Sequence, residues 1–161
     1  MYARVNSATL CGIDAVSVTV ETDVSDGMPV FDMVGVLSGE VREARERVKT
    51  ALKNNGLTLP VKRITVNFLP ANIKKMGSGF DLPVAVSVLC AIGIISQEGL
   101  EDYFVAGELG LDGRIHPISG ILPMVIGARN SGIKKCVLPA KNVREAELVP
   151  DMEIIGVRDL T

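Results

Sequence analysis

The sequence predicts a single α/β domain over residues 1–161, a mixed β-sheet with helices packed against it. Three observations carry this expectation. The first third alternates apolar and polar residues at the two-residue period of strands, and a strongly amphipathic helical stretch follows it. The second half then switches repeatedly between strand-like and helix-like segments. With 161 residues, 47% of them hydrophobic, the chain can bury roughly 70% of its unfolded surface as one domain. No internal repeat, low-complexity tract or linker divides it.

Each element has its own justification. In AVSVTVETDV, Val16, Val18 and Val20 alternate with Ser17, Thr19 and Glu21, the pattern of a strand with one wet face. Asp26-Gly27 signals a turn before a second strand in PVFDMVG. LSGEVREARERVKTALKNNG places Val41, Ala44, Val48, Ala51 and Leu52 on one helical face, with Ser38 as N-cap and Gly56 just beyond the C-cap. VKRITVNFLP reads as a short strand ending at Pro70, and FDLPVAVSVLCAIGI as a helix buried on most sides. YFVAGELGL and GRIHP read as two strands turning at Asp112-Gly113. GILPMVIGARNSG reads as a helix closed by Gly132, KKCVLP as a strand, NVREAEL as a short helix and MEIIGV as a last strand. The chain ends at RDLT directly after that strand, as a domain cut from a longer protein would.

Composition excludes several functions. Seventeen Lys and Arg against nineteen Asp and Glu give a net charge of -2, so no global field favours nucleic acid and any contact must come from a local patch. The longest apolar run, Leu82 to Ile95, is interrupted by Pro83, Ser87 and Gly93 and is too short to span a bilayer. The segment MYARVNSATL lacks the apolar core of a signal peptide, which points to the cytoplasm. Cys11, Cys90 and Cys136 are widely spaced and the single histidine is His116, so no metal site is expected; Cys90 and Cys136 read as buried free thiols.

The stretch KKMGSGFDLPVAVSVL, Lys74 to Leu89, is the one place where chemistry is suggested. A phosphate loop of the form GxxxxGK[ST] needs its lysine after the glycines; here Lys74 and Lys75 precede them and Asp81 follows, where it would repel a phosphate. Ser78 as a nucleophile needs a base within hydrogen-bond reach, and Lys75 has no evident reason to lose its charge beside an exposed loop. The favoured reading is a helix start: Gly77 and Gly79 permit a reversal, Asp81 suits the N-cap or first turn, and Pro83 suits the first turn.

Three segments, GMPVFDMVGVLSGEVREARERVKTALKNNG, KRITVNFLPANIKKMGSGFDLPVAV and AGELGLDGRIHPISGILP, together resemble the N-terminal domain of the YifB/ComM family of magnesium-chelatase-like AAA+ ATPases. The resemblance covers almost the whole chain. It implies an accessory domain preceding an AAA+ motor that lies outside these residues, with ATP and Mg bound there and none here. It also implies self-association as a hexameric ring and action on branched DNA in natural transformation. The domain is in turn similar to the proteolytic domain of Lon proteases and the C-terminal domain of RadA, which implies the Lon-type fold. In the Lon pattern the catalytic serine would fall at Gly79, with Ser78 one step early. The catalytic lysine, two residues beyond a PIGG-like turn matched here by Pro117-Ile118-Ser119-Gly120, would fall at Leu122. Neither residue can handle a proton, so no catalytic residue is expected, with Ser78 the fallback nucleophile. A Ser-Lys hydrolase using Ser78 and a magnesium-chelatase-related subunit stand as alternatives.

For DNA contact the candidates are Lys74, Lys75, Lys134 and Lys135, with Lys62-Arg63, Lys141 and Arg144 as further basic residues. They serve only if they converge on one face; lysines at strand ends usually just solubilise. Aromatics make up 4% of the chain with no tryptophan, which disfavours base stacking. His116 is expected as a packed or hydrogen-bonded turn residue.

Overall fold

The computed structural model describes residues 1–161. The middle strand of its main sheet is β1 (Tyr2–Cys11), a segment not singled out by the alternation argument because its buried face carries the polar Ser7 and Thr9 beside Ala3 and Val5, and Ala8 is buried on the other face. It pairs antiparallel with β2 (Asp14–Ser25), and the register Cys11↔Asp14 leaves a two-residue turn in which Gly12 takes φ 66°. β2 pairs antiparallel with β4 (Arg63–Leu69), which carries β3 (Val30–Val34) parallel at its outer edge. On the other side β5 (Tyr103–Val105), β8 (Lys135–Pro139) and β9 (Glu153–Val157) follow β1 in parallel. The order is β3-β4-β2-β1-β5-β8-β9, so every strand but β2 points the same way and the sheet has a distinct carboxyl edge.

Helices α1 (Gly39–Asn54) and α2 (Asp81–Ala91) cover one face, burying Val48, Leu52, Val84 and Val88 against Val18, Val20, Ile64 and Phe68. Helix α3 (Ile121–Asn130) and the single turn α4 (Val143–Ala146) cover the other, packing Ile121 and Val125 with Phe104, Cys136 and Leu138. β1 serves both because its side chains alternate: Val5 meets Leu82 of α2, and Ala8 joins the α3 cluster.

Helix punctuation follows the sequence closely. Ser38 Oγ accepts from the Val41 amide at 3.3 Å, and the five buried residues of α1 are the five its periodicity marks. At its other end the Leu57 amide donates to Leu52 O (2.9 Å) and the Gly56 amide to Lys53 O (3.1 Å), a Schellman closure with Gly56 at φ 74°. α3 ends in the same way, Ile133 to Ala128 O and Gly132 to Arg129 O.

One strand assignment is corrected. YFVAGELGL is not continuous: β5 stops at Val105, and Glu108–Leu109 (β6) forms a separate two-stranded hairpin with Ile115–His116 (β7). The break exists because α2 starts there. The Gly107 amide donates to Gly79 O and the Leu82 amide to Gly107 O, both at 3.0 Å. This close approach favours glycine, since a Cβ at Gly107 would sit 3.1–3.3 Å from the Ile115 and Leu82 side chains and push them back by a few tenths of an ångström. The Asp112-Gly113 turn forms as expected, with Gly113 at φ 90°.

Candidate functional site

The carboxyl edge opens into a cavity of about 280 Å³ between the ends of β1 and β5. The chain leaves β1 towards β2 on one side and leaves β5 towards β8 on the other, the arrangement that leaves a crevice at the carboxyl ends of parallel strands. Ala8 and Leu10 of β1 form its floor, and the segment Met76–Phe80 forms one wall. That wall is held by backbone pairing: the Lys75 amide donates to Val36 O (2.9 Å), Ser38 to Lys75 O (2.9 Å), and Met76 to the buried Thr9 Oγ1 (2.9 Å). Ile118 and Ser119 form the opposite wall. The amide and carbonyl of Ile118 are both taken by the side chain of buried Asn142, at 2.9 and 3.0 Å. Gly120 takes φ 80°, a conformation that strains any residue with a side chain, and a Cβ there would also press on the tip of Leu10.

Ser78 and Gly79 both line the cavity, as the sequence leads one to expect of a loop before a helix. Ser78 is half-buried, and no hydrogen bond joins its hydroxyl to a lysine. Gly79 faces Ile118 so closely that a Cβ there would lie 2.7 Å from Ile118 Cδ1. Leu122 does not line the cavity; its side chain packs against the α3 cluster and its amide approaches Glu145 Oε1 at 3.4 Å.

Lys75 departs from expectation. It is wholly buried, and its ammonium donates to the carbonyl of Pro70. Burial holds its pKa below the ordinary lysine value. The reason is its backbone: Lys75 bridges in parallel to Leu37, which turns its side chain inward under the loop. It therefore offers no charge at the surface, and its amine is directed to Pro70 rather than to Ser78. The loop also does not fit a nucleotide's phosphates, since Glu40 is the one charged side chain lining the cavity.

Asp81 stands in the first turn of α2, one of the two places the sequence allows it, but its carboxylate is buried and held by side-chain and backbone groups from outside the helix. It heads α2 fully buried, and the preceding Phe80 makes no side-chain capping bond. Its carboxylate takes a two-pronged contact from Arg47 of α1 (Nε to Oδ2 2.7 Å, Nη2 to Oδ1 3.0 Å) and a third bond from the Leu109 amide (3.0 Å). Burial pushes the carboxyl above its usual range, outweighing the Arg47 and Leu109 hydrogen bonds that draw it down, while Asp81 raises the Arg47 guanidinium. Sequence reading missed Arg47 and Asn142. The available signal was Asp81 itself: a carboxylate heading an otherwise apolar helix requires a cation from elsewhere.

Residues 20–142 match the family model for subunit ChlI of Mg-chelatase. The chain belongs to this ChlI-like family. It is 37% identical over 149 residues to competence protein ComM of Haemophilus influenzae, covering 92% of this chain and 29% of that protein. It is 35% identical over 145 residues to YifB of Escherichia coli, 90% of this chain and 28% of that protein. Lon protease 4 of Sorangium cellulosum is 29% identical over 152 residues, 88% of this chain and 19% of the protease. The ChlI-like chain thus spans less than a third of the length of these relatives.

The remaining sequence candidates are spread over this ChlI-like domain. Lys74 is exposed at the carboxyl edge, whereas Lys134 and Lys135 lie at the start of β8, on the amino edge, beside Glu101 and Asp102. Lys135 sits over the Tyr103 ring, 5.3 Å from its centroid. Lys62 and Arg63, also on the amino edge, approach Asp26 (3.3 Å) and Asp32 (3.8 Å). β4 and β8 are four strand spacings apart, roughly 19 Å, so these two pairs stand apart on the amino edge, with Lys74 at the opposite edge. His116 is exposed on β7 and makes no side-chain hydrogen bond; its ring lies over Gly110, where only a glycine leaves it room. Cys90 and Cys136 are buried free thiols, and burial raises the latter's pKa to about 12. No group of three or more His, Cys, Asp or Glu could hold a metal, and no helix is long and apolar enough to cross a membrane.

Proposed function

We propose that this domain is a non-catalytic accessory domain of a ComM/YifB-type AAA+ ATPase. In this reading the ATP and Mg site belongs to a motor outside these residues, the assembled protein is a hexameric ring in the cytoplasm, and the domain contributes to ring assembly. The observation that carries the reading is the pair of positions where the Lon pattern keeps its dyad. Gly79 has no side chain and Ile118 stands in the space one would need, while Leu122 lies in the α3 cluster outside the cavity. A serine attack needs a hydroxyl and a base in contact. Here the buried amine nearest in sequence is engaged by Pro70 O.

The name of ComM supports placing the whole protein in competence, and we assign it DNA handling of the branch-migration kind. Of the basic candidates Lys74 and Lys134 supply exposed charge for DNA contact by this domain, from opposite edges. A fluorophosphonate probe tests the absence of catalysis. The expected result is no labelling of the chain or of the Gly79→Ser variant, whose new hydroxyl would meet Ile118 and find no lysine opposite. Stoichiometric labelling that disappears in Ser78→Ala would overturn it. Sedimentation of the chain tests its share in assembly. A salt-dependent isotherm with branched DNA, repeated on Lys74→Ala and Lys134→Ala, tests contact: unchanged affinity removes each lysine in turn.

A further inference from the structure

On the helical face near the amino edge, α1 and the strap that follows it enclose a groove unrelated to the carboxyl-edge cavity. Two hollows of about 420 and 220 Å³ meet there, and Lys49 and Leu59 line both. The floor is apolar, built from half-buried Leu57, Leu59 and Pro60. Two bare apolar side chains stand beside it: Met28, 77% exposed, next to Pro29 of the smaller hollow, and Val61, 82% exposed, between Pro60 and Lys62. A contiguous apolar surface rimmed by polar residues marks an interaction site where single exposed side chains do not; here the half-buried floor supplies the continuity.

The charges of the groove have one sign left over. Glu46, the one acidic side chain lining the groove, is paired with Arg45 (3.3 Å), as Glu43 is with Arg47 elsewhere on α1 (3.4 Å). Lys49 and Lys53 stand one helical turn apart on the groove and enter no ion pair, while Lys62 has only the outermost Asp26, 95% exposed. Like charges at this spacing weaken a helix, a cost that a partner's carboxylates would reverse. Nucleic acid is the poorer fit. Its phosphates would lie over an apolar floor, and Phe31, the one aromatic residue lining the groove, is buried and offers no ring for a base.

We infer that this groove docks an acidic segment of a partner protein, a stretch in which Asp or Glu alternates with Leu, Ile or Val. The carboxylates meet Lys49, Lys53 and Lys62, and the apolar side chains settle on Leu57 and Leu59 between Met28 and Val61. The inference is independent of whether the carboxyl-edge cavity is catalytic.

The test is fluorescence anisotropy with a short labelled peptide of alternating Glu and Leu, with a Lys-Leu peptide and a labelled DNA duplex as controls. The expected result is saturable binding of the acidic peptide alone, weakening with added salt. In Lys49→Glu/Lys53→Glu the affinity drops about tenfold or more. In Val61→Ser it drops several-fold with the salt dependence retained, because only an apolar contact is lost. All these positions are exposed, and a thermal melt identical to the parent's verifies the fold of each variant. Acidic-peptide affinity unchanged by the double reversal overturns the inference. So does tighter binding of the duplex at equal salt, lost in the same variant, which would make the groove a phosphate surface.

Discussion

A serine–glycine pair stands at the start of both α1 and α2, Ser38-Gly39 and Ser78-Gly79, yet different forces fix the two starts. At α1 the serine is a cap: Ser38 is extended (φ -65°, ψ 166°) and its hydroxyl takes the Val41 amide. At α2 the residue before the helix is Phe80, already in helical conformation and without a capping side chain. Its first turn is held by distant groups instead, Gly107 O on the Leu82 amide and Arg47 on the Asp81 carboxylate. A locally capped helix start can tolerate changes far away in the chain. A start held by tertiary contacts cannot, and the largest consequence falls on Arg47.

Replacing Arg47 by Met keeps most of the volume of a side chain that is 21% exposed but leaves Asp81 buried without its cation. Breaking a buried pair from one side costs about 3–5 kcal/mol. Urea unfolding of Arg47→Met should therefore show a midpoint drop of that size at unchanged slope. Adding Asp81→Asn should recover part of the loss, because the stranded charge is gone and only the Leu109 amide contact is altered. A loss below about 1 kcal/mol in the single variant would mean that α2 is fixed by packing alone, and the contrast with α1 would fail.

A second consequence concerns the segment that delivers the chain to α2. Lys75 is buried in it with a pKa held below the ordinary lysine value. Between that depressed value and the unfolded one near 10.4, the unfolded chain holds a proton that the folded chain has given up, so stability rises with pH through this window. Below the window the folded state carries the full cost of a buried ammonium. The difference in unfolding free energy between parent and Lys75→Met should shift in the parent's favour as pH is raised from neutrality towards that upper limit. Parallel pH profiles for the two proteins would show that the amine is hydrated in solution.

The same division explains what could be read from the sequence. α1 was legible to the residue, since its buried set, Ser38 and Gly56 all follow from periodicity and local chemistry. The strands with one wet face, such as β2, were legible for the same reason. β1 was not, because polar Ser7 and Thr9 share its buried face with Ala3 and Val5, so the apolar alternation fades after Val5. The split of YFVAGELGL into β5 and β6 depends on α2 arriving at Gly107, a contact between residues far apart in the chain. At the cavity, residue types were readable, so Gly79 and Leu122 stood out as unable to move protons. Burial was not: Lys75 reads as a surface residue next to Lys74 until its backbone pairs with Leu37. Asp81 reads correctly as a first-turn carboxylate, but not as a buried one held by Arg47 from 34 residues away.

The smallest expected effect separates the two serines directly. Ser38→Ala removes the acceptor for the Val41 amide in a residue only 8% exposed, so water does not readily replace it, and the loss should be about 1 kcal/mol. Ser78→Ala removes a hydroxyl with no hydrogen bond to a lysine at the mouth of an open cavity, and it should fall within about 0.5 kcal/mol of the parent. Thermal melts of the two variants side by side measure this difference, and both mutations make the same chemical change beside the same neighbour, glycine. Equal losses would mean that Ser78 also holds its helix. The hydroxyl at the cavity would then have a structural partner, and the assignment of the second helix start to Arg47 and Gly107 would have to be shared with it.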